Sequence, residues 1–194
     1  MKRKITWLSL SFLILAGRLL ASCSTANTTT QAPPITTSEG PAVLTVTNGS
    51  VIKTYSMTDL QDANLVTGYG GEKEQDGTII GPYPYQGVAL TDLLNAVGGI
   101  TEGQSVKITA SDGSYQTLSY DQRINGDFNI YDSAGGLLTR PTKPTISIIF
   151  SEYGNPLDNS TGPIELGTIS TFNYITDASM WVKMVTTINV IPTP

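Results

Sequence analysis

The sequence contains no histidine and only one cysteine, Cys23, among its 194 residues. Without an imidazole the chain has no histidine base for a catalytic triad and no histidine ligand for zinc, which excludes most hydrolase templates. A single cysteine has no partner for a disulfide within the chain. Long apolar runs are also missing, because the stretch from Ile5 to Gly17 is shorter than the roughly 20 residues that a membrane-spanning helix needs.

The first residues have the pattern of an export signal. Lys2, Arg3 and Lys4 precede the apolar stretch, and Leu20-Ala21-Ser22 stands directly before Cys23. The tetrad ending at Cys23 resembles the bacterial lipobox, in which a peptidase cuts before a lipid-modified cysteine. The resemblance implies that residues 1–22 are a lipoprotein signal peptide and that Cys23 anchors an exported protein to the outer face of a cell membrane. An ordinary signal peptide with an incidental cysteine is the alternative.

Residues 23–41 are rich in Ser, Thr and Pro, which predicts a disordered tether ahead of a globular domain at 42–194. Cleavage before Cys23 removes 4 of the 11 basic residues, so the net charge becomes 7 − 16 = −9. An acidic body repels nucleic-acid phosphates and anionic headgroups. We therefore expect no nucleic-acid partner, membrane contact through the anchor, a monomer, and cationic or neutral ligands.

Turn and strand signals dominate the predicted domain. Asn48-Gly49 predicts a hairpin of Ala42–Thr47 with Ser50–Tyr55. Two helices are predicted, one from Ser56 to Asp62 with Asp59 in a capping position, and one over Ala89–Val97 with Thr91 as N-cap. Further strands are predicted at 105–110, 115–119, 127–131, 145–151, 164–169 and 180–191. This pattern predicts an α+β fold with β-rich mixed sheets and few short helices.

The motif order resembles a known family, the oxidoreductase molybdopterin-binding domain of the sulfite oxidase group. The segment from Tyr85 to Leu94 is similar to that domain's aromatic-x-Gly-Val-x-Leu-x-Asp-Leu-Leu motif. Later segments are similar to it in the same order, namely Ala110–Gly113, Gly154–Leu157, Gly162-Pro163 and the closing strand that contains Trp181-Val182-Lys183. The resemblance implies a sulfite-oxidase-type fold over about 42–191.

The residues that carry activity in that family are not matched. In the family, molybdenum is held by a pterin and by one cysteine thiolate from the loop before the aromatic-Gly-Val segment, and here 69–85 contains no cysteine. Glu165 stands two residues after Pro163, where relatives commonly have arginine, and a carboxylate repels the pterin phosphate. We therefore predict no catalytic residue and no metal site. Molybdopterin is implied by the resemblance alone, and no cofactor is assigned.

Segment 69–85 is predicted to be a flexible loop, shaped by Gly and Pro, that lines a small-molecule pocket. The pocket candidates are Tyr69, Gly70, Gly71, Lys73, Tyr83 and Tyr85. The alternative is that the tyrosines cover a sheet edge.

Acidic residues in the same segment have a second interpretation. Glu72, Glu74, Asp76 and Gly77 are similar to the first half of a calcium loop, but Tyr83 stands where the closing glutamate is required. The pattern therefore favours a solvated acidic loop. Asp112-Gly113 and residues 132–136 are interpreted as turns.

Together these observations predict a membrane-anchored exported lipoprotein whose molybdopterin-binding-like domain lacks the molybdenum-ligand cysteine. Such a domain would act as a non-catalytic module that binds a small molecule or an exported protein partner. Two alternatives stay open. One is a molybdopterin-dependent oxidoreductase of the sulfite oxidase group, and the other is an accessory or structural lipoprotein of an exported complex.

Overall fold

The computed structural model describes residues 40–193. The predicted signal peptide, the anchor Cys23 and almost all of the predicted tether lie outside the described residues. Within 40–193, no helix has both the length and the apolar character needed to cross a membrane.

The first sheet has five strands and begins with a hairpin. Strands β1 (Ala42–Asn48) and β2 (Val51–Ser56) pair antiparallel, which confirms the hairpin predicted from Asn48-Gly49. β1 also pairs in parallel with β12 (Val185–Pro192), which continues antiparallel to β5 (Gln104–Ala110) and then β6 (Tyr115–Leu118). The strand order is β2-β1-β12-β5-β6.

The second sheet is larger and mixed. Its strand order is β10-β8-β4-β3-β11-β7, with β9 paired to the end of β8 and one parallel pair between β3 and β11. The sheet curls, because a bridge between Tyr69 and Ser170 brings β3 against the end of β10. Its strands are β3 (Leu65–Lys73), β4 (Ile79–Ala89), β7 (Ile130–Tyr131), β8 (Thr145–Glu152), β9 (Asn155–Pro156), β10 (Glu165–Ile169) and β11 (Ile175–Asp177).

Three short helices join these strands. Helix α1 (Met57–Gln61) has the predicted capping box, in which the Ser56 hydroxyl accepts from the Asp59 backbone N–H and the Asp59 carboxylate accepts from the Ser56 N–H. Helix α2 (Leu90–Asn95) follows β4, and helix α3 (Tyr120–Asn125) has a second capping box from Ser119. The prediction of few short helices beside mixed sheets is confirmed.

The main core joins the two sheets to the buried side of α2. The apolar stripe of this helix was predicted as Leu90, Leu93, Leu94 and Val97, and all four side chains are buried. They pack in one cluster with residues from the first sheet (Leu44, Val46, Val106, Ile108, Ile188, Val190) and from the second (Val88, Ile146, Ile148, Phe150, Leu166). Burial of these side chains is the dominant stabilising term.

The prediction of a flexible loop at 69–85 is wrong. The segment is an antiparallel pair of long strands, β3 and β4, joined by a turn in which the Glu74 N–H donates to the Thr78 carbonyl. Glycines and prolines along β3 and β4 hid the usual alternation of apolar and polar residues. Gly68, Gly70 and Gly87 lie where a Cβ would collide with backbone atoms of a neighbouring segment, so they serve close packing rather than a loop.

Several predicted boundaries also differ. Thr91 does not cap α2, which begins at Leu90 after Ala89 without a side-chain cap; the Thr91 hydroxyl instead accepts from Arg123 Nη1 at 3.3 Å. The strand predicted at 127–131 is reduced to Ile130–Tyr131. The one predicted at 180–191 begins only at Val185, since Met180 ends a 3₁₀ turn and Val182 forms an isolated bridge with Leu166 instead. Helix α3 and strands β9 and β11 were not predicted.

Candidate functional site: an acid–aromatic cluster

Four aromatic rings form a continuous row on the second sheet. Centroid distances are 5.5 Å from Trp181 to Tyr85, 6.5 Å from Tyr85 to Tyr83 and 5.6 Å from Tyr83 to Tyr153. Tyr85 is buried and Tyr153 is 61% exposed, so the row runs from the interior to the surface. Edge and tilted arrangements of this kind are favourable between aromatic rings.

Three glutamates belong to the same place. Glu152 on β8 pairs directly with Tyr85 on β4. Glu165 on β10 pairs with Ile149, which lies three residues before Glu152 on β8. Glu72, at the end of β3, raises the pKa of both Glu165 and Tyr85. We call the four rings, these three glutamates and Lys183 the acid–aromatic cluster.

Glu165 is the most unusual member of the cluster, because its side chain is only 4% exposed. Burial raises the pKa of its carboxyl from 4.5 to about 8; Lys183 opposes the shift, and Glu72, Glu152 and Asp158 add to it. No hydrogen bond contributes to this shift. A buried carboxyl without a compensating donor holds its proton at neutral pH and can release it when a positive charge arrives.

The pKa values of Glu72, Glu152 and Tyr85 shift in the same direction as that of Glu165. Burial raises the pKa of Glu72, with Lys183 lowering it and Glu74 raising it, and burial followed by Asp158 raises that of Glu152. Burial and then the charges of Glu165, Glu152 and Glu72 hold the pKa of Tyr85 far above its usual range. Burial is therefore the main cause of all these shifts, and Lys183 opposes those of Glu72 and Glu165.

Trp181 is held in place from two sides. Its Nε1 donates to the Thr176 hydroxyl at 3.1 Å, and that hydroxyl lies 3.1 Å from the Thr168 hydroxyl. The indole lies against Gly167 so closely that a Cβ at that position would overlap the ring. The aromatic row therefore has a fixed inner end.

The structure separates the six residues predicted to line a pocket. Tyr83 and Tyr85 lie together in the acid–aromatic cluster. Tyr69 is 43% exposed and pairs with Pro84, the residue between Tyr83 and Tyr85 on β4. Because successive strand residues point to opposite faces of a sheet, Tyr69 lies on the face opposite to Tyr83 and Tyr85. Lys73 lies elsewhere, since its Nζ donates to the Gly135 carbonyl at 2.9 Å and sits 4.4 Å from the Tyr131 ring centre.

Gly70 and Gly71 serve packing rather than a flexible frame. A Cβ at Gly70 would collide with the Thr168 carbonyl, and one at Gly71 would lie 2.5 Å from the Ile80 carbonyl. Both glycines are buried. Their lack of side chains allows β3 to approach its neighbours closely.

The acidic segment 72–77 is split between a strand and a turn. Glu72 lies near the end of strand β3, close enough to Glu165 to raise its pKa. Asp76 lies in the turn, where its Oδ1 accepts a hydrogen bond from the Thr78 N–H at 2.8 Å. Among residues 40–193, no group of three or more Cys, Asp or Glu side chains could hold a metal ion. The Asp112-Gly113 turn is confirmed, with Asp112 Oδ1 accepting from the Ser114 N–H at 2.8 Å.

Sequence reasoning missed Glu152 and Tyr153 as site residues. Both lie at the end of β8 and reach the cluster through pairing with β4, where Tyr85 pairs with Glu152 and the Tyr153 N–H donates to the Pro84 carbonyl. The available signal was local, namely an acidic and an aromatic residue directly before the Gly154-Asn155 turn. Without the strand register, nothing linked them to Tyr85.

Comparisons with known proteins show a distant likeness of fold and no family. No protein-family model and no curated protein matches the chain. One matching crystal structure is the sulfane dehydrogenase SoxCD from Paracoccus pantotrophus, with a TM-score of 0.53 and 16% sequence identity. The match covers 77% of this chain and 38% of that chain, so this chain spans well under half of its neighbour's length. This likeness shows a shared fold alone.

Proposed function

We propose that this protein is an exported, lipid-anchored binding module that carries the fold of the oxidoreductase molybdopterin-binding domain and binds a small cationic molecule at the acid–aromatic cluster. The structural likeness to part of the sulfane dehydrogenase and the order of the sequence motifs support the fold assignment. The buried carboxyl of Glu165 carries the functional assignment.

The residues of the cluster do not fit a molybdenum–pterin group. The chain has no histidine, and its one cysteine precedes the described residues, so 40–193 offer no thiolate or imidazole to a soft metal. At Glu165, where the family resemblance leads us to expect a basic side chain, a pterin phosphate would meet a carboxyl group, and the charges of Glu72 and Glu152 act on the same residue. The disagreement concerns both the metal donor and the anion site, so we derive no reaction step through this group.

A cation fits both features of the cluster. Carboxylates attract positive charge, and aromatic faces bind ammonium groups through their quadrupole, most strongly where water is excluded. Trp181 and Tyr85 form the inner end of the aromatic row, while Tyr83 and Tyr153 lead to the surface. An ammonium ligand that enters along this row favours the ionised form of Glu165, so binding releases a proton when the pH is below about 8.

Titration of the intact chain with benzyltrimethylammonium tests this proposal. After cleavage before Cys23, Trp181 is the only tryptophan, so its fluorescence reports directly on the cluster. We expect quenching that becomes tighter as the pH rises from 6 to 9, and no response to neutral benzyl alcohol. Glu165→Gln should weaken binding about tenfold and remove most of the pH dependence, since a charge-assisted contact contributes more than a neutral one. The exposed Glu102→Gln serves as the matched control.

Two results would contradict the proposal. One is equal binding of benzyltrimethylammonium and benzyl alcohol, which would remove the role of charge. The other is about one molybdenum per chain in protein purified from its native host, which would favour the oxidoreductase alternative.

Anchoring is a separate part of the proposal, supported by the tetrad Leu20-Ala21-Ser22-Cys23. In a bacterial host grown with radiolabelled palmitate, the wild-type chain should be labelled and should sediment with membranes. Cys23→Ala should lose both properties, whereas the neighbouring Ser24→Ala should keep them. A labelled Cys23→Ala chain would show that the lipid is attached elsewhere.

A further inference from the structure

Two adjoining cavities lie away from the acid–aromatic cluster, beside helix α3. The first has a volume of about 200 Å³ and is lined by Arg123, Thr91 and Lys143, among others. The second, of about 320 Å³, shares Gly126, Phe128 and Lys143 with the first and adds Arg140. Together they offer room for a small organic molecule.

The charge around these cavities is opposite to that of the protein as a whole. The described chain has seven basic residues, and three of them line these two cavities; the seven are Lys53, Lys73, Lys107, Arg123, Arg140, Lys143 and Lys183. No acidic residue lines either cavity. The nearest acidic residues in the chain, Asp92, Asp121 and Asp127, are exposed, and the Asp121 carboxylate accepts from Asn125 Nδ2 at 2.7 Å.

Arg123 has an unsatisfied donor at this place. Its Nη1 donates to the Thr91 hydroxyl at 3.3 Å, a long contact, while its Nε is buried without a hydrogen-bond partner. Among residues 40–193 it is the only buried side-chain nitrogen or oxygen in that condition. Burial lowers the pKa of the Arg123 guanidinium, and no carboxylate contributes to the shift. A buried guanidinium donor without an acceptor costs free energy that an incoming oxyanion would recover.

Lys143 is positioned by local backbone geometry. Gly126 has a φ of +63°, which favours glycine, and a Cβ there would lie 2.8 Å from Lys143 Cδ. The lysine stem therefore packs on the glycine at the junction of the two cavities. The second cavity adds an apolar wall of Phe128, Ile130, Leu137 and Leu138.

We propose that the two cavities form a binding site for a small amphiphilic anion, with its oxyanion group on Arg123 and Lys143 and its apolar part against Phe128 and Leu138. The chemistry suits a phosphate monoester or a carboxylate on an aromatic or aliphatic group. Guanidinium groups bind both headgroups through paired hydrogen bonds. This site is independent of the acid–aromatic cluster, which favours ligands of the opposite charge.

Isothermal titration calorimetry on the intact chain in non-ionic detergent tests the proposal, with phenyl phosphate and benzoate as probes. At low salt at least one of them should bind more tightly than inorganic phosphate, because the ring adds apolar contact. Neutral phenol should bind far more weakly than either, and the tighter of the two acids identifies the headgroup. Arg123→Gln and Lys143→Gln should each weaken that binding about tenfold.

The control variant is Lys107→Gln, because Lys107 lies over the Tyr115 ring at 3.9 Å and outside both cavities. It should bind the probes as the wild type does. Since Lys143 is exposed, Lys143→Gln should fold normally even if Arg123→Gln does not. The proposal is overturned if neither acid binds, if phenol binds equally well, or if Lys143→Gln and Lys107→Gln have the same affinity as the wild type.

Discussion

Replacing Glu165 by Gln should stabilise the protein, and the gain should grow with pH. The carboxyl of Glu165 ionises near pH 4.5 in the unfolded chain and near pH 8 in the folded one. The unfolded state therefore loses this proton first, so the fold is favoured fully below pH 4.5 and loses stability as the pH rises to 8. At about 1.4 kcal/mol for each pH unit, the loss reaches roughly 3 kcal/mol at pH 7 and about 5 kcal/mol at pH 9.

Gln has nearly the same shape as Glu and carries no charge, so the variant avoids this loss. A domain of this size is stable by about 5 to 15 kcal/mol, which makes a change of 3 kcal/mol easy to measure. Urea unfolding at half-unit steps from pH 5 to pH 9, followed by circular dichroism, should give parallel curves for the wild type and for Glu102→Gln. The curve of Glu165→Gln should be flatter and higher, with a residual slope from Glu72 and Glu152, whose pKa values are also raised.

The reasoning is refuted if the stability of the wild type does not fall between pH 5 and pH 8. It is equally refuted if the variant keeps the whole slope, because the carboxyl of Glu165 would then not be the group that titrates. A uniform loss of stability in the variant at every pH would mean that the carboxyl makes a hydrogen bond that Gln cannot replace.

Three further substitutions and one control test the packing and the cap of α1. Gly167→Ala places a methyl group against the Trp181 ring and should destabilise by about 1 to 3 kcal/mol with a shift in tryptophan fluorescence; an unchanged spectrum would contradict the contact. Leu94→Ala in the core should cost about 2 to 5 kcal/mol in urea unfolding, whereas Ile52→Ala, at a residue 65% exposed, should change stability by less than about 0.5 kcal/mol. Ser56→Ala removes the cap of α1 and should cost about 1 kcal/mol; a cost near zero would show that the cap contributes little.

Local signals predicted the parts of the fold that depend on local interactions. Asn48-Gly49 identified the first hairpin, and Ser56 with Asp59 identified the start of α1, because both features are determined by residues within a few positions of one another. The apolar stripe of α2 was predicted for the same reason, although the predicted cap at Thr91 was wrong. Helix α3 had an equally local signal in Ser119 and Gln122, which was overlooked.

The hairpin of β3 and β4 could not be predicted in this way. Gly68 and Gly70 are glycines because the backbone of β10 lies against them, a contact between segments far apart in the chain. A sequence pattern reports such a requirement only as a run of flexible residues, which also describes a loop. The candidate site shows the same limit, since Tyr85 and Tyr83 were identified but Lys73 was assigned to them by sequence proximity alone.

Net charge was an incomplete guide to ligands for a related reason. It predicted cationic or neutral partners, and the ligand proposed for the acid–aromatic cluster is of that kind. Electrostatic attraction within a binding site, however, is governed by charges within a few ångströms and is screened beyond about 8 to 10 Å. Arg123 and Lys143 line a cavity without any acidic residue, so its local potential can be positive on an acidic protein. The two proposed ligands therefore have opposite charges, and adding salt should weaken the binding of both.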